Sequence, residues 1–556
     1  MASPIPSAGL PTTLASNLTD FAGNVVSVIS PYIPDAIKSN LNSLASSKLT
    51  QEMTKSWNWA AYSTLLIASI YVFDWGAKSR RDKRLRDFGS PPPLVPFKAP
   101  FGIDLAVYSL YRFFKFTFFE LVNSWLEAVP GRTVEMRMFG TGLIFTDEPA
   151  NIKAIMSTEW SSFGRGEVTK RIWGDMLGET QIFVVDGEDW HNSKERIKGH
   201  VMKMRSDDLE ITEKHAQQLF KRFDVGKPIE VYDVADRYQL DVVSEVFFGE
   251  SADSLTGHHP FRDPMETLHP INTARMLFGK NAYYVKDKYL APKALKELNG
   301  YTSGIVDRAY ARDLSKKSPE DYNMLDDLVS QKKSVKDIKD SMMTIMLGGK
   351  DPSAILIAWA IFLMGKYPNV MKKMQAEVAR VSGDEPPSAS DLKEMTYIRH
   401  VINETFRLYH PLGMNVRMAL KDATLPIGGG KSGRDPVAVP KDTTITHPST
   451  ITVYSLGGLQ RRKDIYGEDA LEFRPERWEG ANINRWHFIP YNHGPRHCLG
   501  QKFGQQQMEY ILARICQEYQ EIRIPPGQPE QQIRIELNLK MAHPCMCEFV
   551  KKNKGN

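Results

Sequence analysis

Phe488-Ile-Pro-Tyr-Asn-His-Gly-Pro-Arg-His-Cys-Leu-Gly500 holds one cysteine between two glycines and runs straight into an amphipathic helical pattern. Met508, Ile511, Leu512, Ile515, Cys516 and Tyr519 recur at three- and four-residue intervals after it, which predicts a helix beginning just past Cys498. A thiol set before a helix N-terminus faces unpaired backbone N–H groups and the positive end of the helix dipole, and both favour the thiolate. Such a thiolate can ligate metal, attack an electrophile or form a disulfide. No second cysteine or Cys-x-x-Cys lies nearby, so structural zinc and a thioredoxin-like pair are poor readings. Arg496, two residues upstream, suits an anionic group, and Gly494 and Gly500 allow the backbone to approach a flat ligand closely.

The loop resembles the haem-binding signature of cytochrome P-450 enzymes, Phe-x-x-Gly-x-Arg-x-Cys-x-Gly, with Tyr491 at the Phe position and Gly494, Arg496, Cys498 and Gly500 in register. A lone cysteine in a Gly-rich turn would otherwise read as a buried structural thiol; the arginine and two glycines at fixed spacing weigh against that. The resemblance implies haem b, with the Cys498 thiolate on its iron pushing electron density onto the metal and favouring O–O cleavage. It also implies a mainly α fold with small β-sheets, the cytochrome P-450 fold.

The 556 residues are ample for a large buried core. Four cysteines in this length argue against a disulfide framework and fit a reducing, cytosol-facing catalytic domain. Cys545 and Cys547 have no nearby His or Cys to complete a metal site and read as strand residues. A net charge of +5, spread over 71 basic and 66 acidic side chains, leaves no nucleic-acid footprint. The informative excess is local: Lys78, Arg80, Arg81, Lys83, Arg84 and Arg86 follow an uncharged run from Ser56 to Phe73. As a helix that run spans about 27 Å, one hydrocarbon core, and Trp57, Trp59 and Trp75 flank it.

These features predict an N-terminal extension (1–55), a transmembrane helix (56–75), a basic and Pro-rich linker (76–100) and a catalytic domain (101–556). The basic block puts the catalytic domain in the cytosol and the N-terminus in the lumen, where Asn17-Leu-Thr19 is a glycosylation acceptor. A single-pass protein of the endoplasmic reticulum membrane results. The aromatic stretch from Val107 to Trp125 reads equally as a core helix or as a segment dipping into the membrane surface.

Val134 to Thr146 alternates and turns on glycines, which predicts a hairpin. Helical patterns dominate from about 149 to 410, with strands expected at 424–430, 437–439, 444–454 and the C-terminus. Trp190 and Lys194 lie four apart, on one helical face, and resemble the family's Trp-x-x-x-Arg element that holds a haem propionate. Lys194 keeps the charge but loses the bidentate fork. Glu404-Thr-Phe-Arg407 alone would be an ordinary surface pair; with Arg477 downstream it resembles a buried network that supports the haem side structurally. By the same resemblance Arg417 and Arg496 reach propionates, and Leu412, Gly413 and Met414 line the substrate cavity; Leu177 to Thr180, ahead of Trp190, read as a cavity-lining loop or, with the polar Glu179, equally as an exposed one. Pro100 to Asp104, Thr424 to Gly430 and Tyr466 to Trp478 look like fungal n-alkane and fatty-acid hydroxylases of this family. Gln460-Arg461-Arg462 departs from their usual His-Arg pair and removes one charged propionate contact.

Ser341 to Ala354 carries Gly348, Gly349, Asp351, Pro352 and Ser353, and resembles the family's oxygen-activation element Ala/Gly-Gly-x-Asp/Glu-Thr. Gly349 opens the helix, Asp351 takes the acid position, and Pro352 stands where the threonine is expected. A mid-helix proline removes an N–H and displaces the carbonyl four residues back, here that of Gly348, at a cost of about 3 kcal/mol. Ser353 or an ordered water then inherits the donor role. The whole implies a monooxygenase of lipophilic small molecules, fatty acid- or alkane-like or a terpenoid or polyketide intermediate. It would use dioxygen and electrons from an NADPH-cytochrome P-450 reductase, because no dinucleotide fingerprint follows a strand in this chain. The missing threonine keeps two alternatives open: a haem-thiolate isomerase or dehydratase that needs no electrons, and a haem-binding membrane protein without turnover.

Overall fold

The computed structural model describes residues 57–139, 141–205, 207–223, 226–256, 259–278, 284–441 and 450–552; the expected extension 1–55, with Asn17, lies outside them. The chain divides into two units, Met1–Arg81 and Asp82–Asn556. Helix Trp57–Leu85 contains the uncharged run from Trp57 onward and continues without a break through most of the basic cluster. It leaves Leu65, Leu66, Val72, Phe73 and Trp75 exposed. Among the described residues one helix is long and apolar enough to cross a membrane, Val335–Lys366, and 78% of its apolar window is buried. That burial makes it the core helix of the larger unit.

Val335–Lys366 starts at Ser334, whose side chain caps the N–H of Asp337. It is apolar on nearly every side from Met342 to Met364, as a helix surrounded by others must be. Helix Val231–Phe248 is buried almost as completely, with Glu230 capping the N–H groups of Tyr232 and Asp233 and Gly249 ending it in the left-handed region. These two pack together with Gln501–Glu518 in one hydrophobic core. Gln501–Glu518 is the helix expected after Cys498; Tyr519 leaves it to open the strand Tyr519–Arg523, which pairs with Met546–Lys551.

Sheets sit beside this helical body. The expected hairpin pairs Thr133–Met138 with Thr141–Thr146 and is joined by Thr450–Ser455, Met414–Ala419 and Phe163–Gly164 in one five-stranded sheet. Arg417 faces Thr452 across it. Ala423–Gly429 and Asp435–Val439 pair separately, and Ile533–Ile535 with Leu539–Met541 forms a short hairpin near the C-terminus. The Pro-rich stretch differs from a free linker. Ser90 exchanges backbone bonds with Pro436 and Ala438, and Glu135 does so with Pro93 and Val95. The prolines, lacking N–H groups, tolerate this rim position while the residues between them supply the donors. The aromatic stretch splits: Phe118–Glu127 buries Phe118, Phe119, Leu121, Val122 and Leu126, whereas Ile103–Phe114 exposes Ile103, Val107, Leu110 and Phe114.

Trp359, 1% exposed, stacks on Tyr409 at 3.7 Å between ring centroids and 11° between planes, tying the core helix to the end of helix Thr396–Leu408. Trp359→Ala removes the stack and leaves a void, and is expected to lower the unfolding free energy by about 3–5 kcal/mol in urea titrations followed by fluorescence.

Candidate functional site

The Cys498 loop is held in shape from several directions. Cys498 N–H donates to the Tyr491 carbonyl at 2.9 Å. Tyr466 hydroxyl donates to His487 O, Ile489 N–H donates to Gln460 Oε1, and His410 Nε2 donates to Ile489 O at 3.0 Å. Leu412 N–H donates to His410 Nδ1, which fixes the neutral tautomer. Tyr491 packs edge-on against Phe406, and Phe488 against Trp478. Gly494 has φ +72°, and a Cβ there would stand 1.9 Å from Met156 O, so its missing side chain serves the protein's own packing. Gly500, the N-cap of helix Gln501–Glu518, is the glycine that lines the cavity described next.

A cavity of about 370 Å³ adjoins the loop. Cys498, Leu499 and Gly500 line it, with Gly348, Gly349, Pro352 and Ser353 of the core helix and Leu412, Met414 and Arg417 after the Pro411 turn. The Cys498 thiol is open to this space while protein surrounds it otherwise. Burial pushes it above its ordinary value and outweighs the Gly500 N–H that favours the thiolate. A cationic centre bound in the cavity would favour the thiolate.

Three guanidiniums converge here. Arg165, Arg417 and Arg496 line the cavity. Burial and the charge of Arg417 pull Arg496 down to about 10; burial and the same neighbours hold Arg165 well below the usual arginine range. The carboxylate among them, Asp186, accepts from Arg496 Nη2 at 2.6 Å and from the backbone N–H groups of Arg165 and Gly166. Arg496 Nε and Nη1 and Arg165 Nε are buried without a hydrogen-bond partner among the described residues. A cavity with surplus cationic donors at its rim and a thiol in its wall fits the two propionates and the iron of haem. Trp190 lies under Arg496, 4.7 Å from guanidinium to ring, and Lys194 stands over the same ring and donates to Pro495 O at 3.2 Å. Both line the cavity.

Glu404 and Arg407 are fully buried and joined at 2.8 Å through both carboxylate oxygens. Arg477 Nε, Trp478 Nε1 and Arg474 N–H also donate to Glu404, each at 3.0 Å. Gln460 is buried and bridges Phe406 O to Ile489 N–H, while Arg461 binds Leu408 O and Arg462 pairs with Asp464, so none of this trio lines the cavity.

Asp351 stands elsewhere than its motif position suggests. It is 1% exposed and absent from the cavity wall, in an ion cluster with Lys350, Asp236 and Arg262. Burial works against its ionisation, but Lys350, His269 and Lys540 together hold it below the usual carboxylate range. Successive helical side chains turn by about 100°, so with Gly348, Pro352 and Ser353 on the wall, Lys350 and Asp351 face Asp236 instead. Asp351 Oδ2 accepts from Asn538 Nδ2 at 3.0 Å, and Asn538 does line the cavity. No hydrogen bond reaches Ser353 Oγ among the described residues. Gly178 packs against Asp340, and of the Leu177–Thr180 loop Leu177 lines the cavity while Glu179 pairs outward with Lys336. Cys516, Cys545 and Cys547 are buried away from it, and the described residues hold no cluster of three or more His, Cys, Asp or Glu suited to a metal ion. Arg165, Asp186, Glu536 and Asn538 were not foreseen: each sits outside any periodic or fixed-spacing pattern.

The sequence pattern of the cytochrome P450 family matches residues 111–544. The chain is 30% identical over 496 residues to cytochrome P450 monooxygenase pvhE of Talaromyces variabilis, covering 83% of this chain and 89% of that protein. It is 32% identical over 418 residues to cytochrome P450 monooxygenase fsdH of Fusarium heterosporum, covering 72% of each. Cytochrome P450 52A13 of Debaryomyces hansenii is 30% identical over 440 residues, 75% of this chain and 83% of its own length.

Burial lowers His410 to about 4, against the opposing hydrogen bond to Ile489 O. Between pH 6.5 and 4 the unfolded chain therefore takes up a proton that the native state refuses. The stability this residue confers is complete above pH 6.5 and is lost as pH falls towards 4, at most about 3 kcal/mol. Stability curves across that window are expected to flatten in His410→Asn.

Proposed function

The chain belongs to the cytochrome P450 family, whose members are haem-thiolate oxidoreductases, and from that premise we propose that Cys498 is the axial ligand of a monooxygenase acting on lipophilic small molecules. The observation that carries this reading is the Cys498 sulfur open to a cavity rimmed by Arg165, Arg417 and Arg496 with guanidinium N–H groups to spare. When bound, the haem supplies activation of dioxygen, one atom going into the substrate and the other to water, with two electrons from NADPH through a separate reductase.

The remaining chemistry is the chain's own. Arg165, Arg417 and Arg496, with Trp190 and Lys194 beside them, hold the propionates and relieve their mutual repulsion in doing so. Cys498 binds as an anion, its loop kept rigid through Gln460, His410 and the Glu404–Arg407–Arg477 network. Gly349 lets the core helix lie close to Val243, 3.2 Å from where a Cβ would be. Ser353 offers a hydroxyl donor at the wall in place of the missing threonine, and Asp351 communicates with the cavity through Asn538. Apolar walls such as Phe118, Phe183, Leu356 and Val453 suit a fatty acid- or alkane-like chain or a terpenoid or polyketide skeleton.

Helix Trp57–Leu85, with its exposed apolar side chains and basic C-terminal part, serves as a single-pass anchor in the endoplasmic reticulum membrane, leaving residues 101–556 in the cytosol as the catalytic domain. Pro352 at the cavity wall favours a second reading, a haem-thiolate isomerase or dehydratase acting on an oxygenated precursor.

The ferrous carbonyl complex of the protein is expected to show the red-shifted Soret band of a thiolate ligand, and Cys498→Ser to lose it; full haem loading without that band in the wild type sinks the assignment. Microsomes with reductase, offered a lipid and terpenoid panel, should form product only with NADPH, whereas NADPH-independent turnover selects the isomerase reading. Ser353→Ala should lower the fraction of NADPH recovered as product severalfold with haem binding intact; unchanged coupling removes Ser353 from proton delivery.

A further inference from the structure

Helix Arg262–Phe278 carries a run of polar groups along one face. His269, Pro270 and Thr273 follow Glu266 by three, four and seven residues, so they share that face in successive turns. At the outer end Glu266 is partly exposed and accepts from Lys540 Nζ at 3.1 Å. His269 comes next, 1% exposed, with neither Nδ1 nor Nε2 hydrogen-bonded among the described residues. Pro270 has no N–H, so the Glu266 carbonyl four residues back loses its helical donor in the same turn. One turn further on, Thr273 is buried, its hydroxyl likewise without a partner among the described residues, and it lines the cavity together with Met276. His269 does not reach the cavity wall itself.

Buried polar atoms that protein leaves unmet are met by internal water, each molecule making about three hydrogen bonds. His269 and Thr273 lie about 6 Å apart along the helix axis, the span of one bridging water. From this we infer that helix Arg262–Phe278 carries a hydrated proton path from the partly exposed Glu266 through His269 and Thr273 into the cavity, with the His269 ring as the group that passes the proton. The inference rests on the monooxygenase reading. Each turnover consumes one dioxygen, two electrons and two protons and yields one oxygenated product and one water, so protons have to reach the cavity from bulk solvent. Burial, and then Lys540, hold His269 below its ordinary value against Asp351, Glu536 and Glu266, so the ring is neutral at neutral pH. A neutral imidazole donates from one nitrogen while it accepts at the other. It releases its N–H proton towards Thr273 and takes up another from water on the Glu266 side, so its charge is unchanged. This path belongs to a different helix from Asp351 and Ser353, and it enters a cavity wall from which Pro352 has removed donors.

Two measurements on the full-length, haem-loaded protein test this. A crystal structure that resolves ordered water is expected to show water bonded to both ring nitrogens of His269 and to Thr273 Oγ1. A dry ring, or one bonded to protein atoms instead, overturns the path while leaving the monooxygenase reading in place. The second measurement follows turnover with reductase, NADPH and the member of the lipid and terpenoid panel that the wild type converts fastest. His269→Phe and His269→Gln should each raise the hydrogen peroxide released per NADPH severalfold and enlarge the solvent isotope effect on product formation, with the ferrous carbonyl spectrum unchanged. Glutamine keeps the hydrogen bonds to water but neither takes up nor releases a proton. Were His269 only a packing or water-holding group, His269→Gln would couple as the wild type does, and that result overturns the relay. Thr273→Val should act in the same direction and, combined with His269→Gln, cost no more than either alone, because both lie on one path; full additivity overturns that order. Conversion of no panel member by the wild type overturns the monooxygenase reading and the path together. Should His269→Phe not fold, the water positions, His269→Gln and Thr273→Val decide.

Discussion

Glu404 carries the arrangement on which the cysteine loop depends. Its carboxylate is wholly out of water, and five donors meet it: two N–H groups of Arg407 and one each of Arg477, Trp478 and the Arg474 backbone. Taking a carboxylate and a guanidinium out of water costs several kcal/mol per ion, and only full hydrogen bonding offsets it. Arg407 spends its remaining N–H groups on the carbonyls of Gln460, Ala470 and Glu472, so the network fastens separate chain segments at one point. Those segments hold the loop: Gln460 bonds Ile489, Trp478 packs on Phe488, and Phe406 of the same helix packs on Tyr491. The pair is three residues apart on a helix, yet its role is long-range.

The cavity beyond the loop shows the opposite balance. Around Glu404 every donor and acceptor is met; around Asp186 cationic donors exceed acceptors. Burial first, and then the mutual repulsion of the guanidiniums, pulls Arg165 and Arg496 below their usual values. The guanidiniums would meet the propionates of a bound haem, and the thiol its metal. Binding of such a group would stabilise the folded chain through charge as well as through shape.

Legibility in the sequence followed locality. Cys498, Arg496 and Gly500 sit at fixed offsets before a periodic helix, and the chain places them together as that spacing requires. Trp190 and Lys194 share a face because they are four apart. The hairpin at Val134 to Thr146 announces itself by alternation. What escaped depends on partners hundreds of residues away. Asp351 was expected at the cavity because its motif offset matches, but Asp236 and Arg262 draw that face of the helix into an ion cluster through Lys350, and neither is visible from the motif. Arg165 follows a two-residue strand with no period to mark it. The proline run near Pro93 suggested a linker by composition alone, whereas the backbone of Glu135 and Pro436 gives it an edge to lie against.

Pro352 then takes on a meaning its motif position did not supply. The helix Val335–Lys366 continues through it, so the cost is met by packing rather than by a break. Lacking an N–H, Pro352 gives the Gly348 carbonyl no donor from its usual position, and Gly348 lines the cavity. The threonine expected at this position would carry both a backbone N–H and a hydroxyl; proline removes two donors from the wall at one stroke. The remaining polar groups on that side, Glu536 and Asn538, are acceptors as well, and Ser353 alone offers a hydroxyl next to the helix of Cys498, 3.5 Å from where a Cβ on Gly504 would be. Ser353, the next residue along the helix, is then the hydroxyl left beside the lost donors.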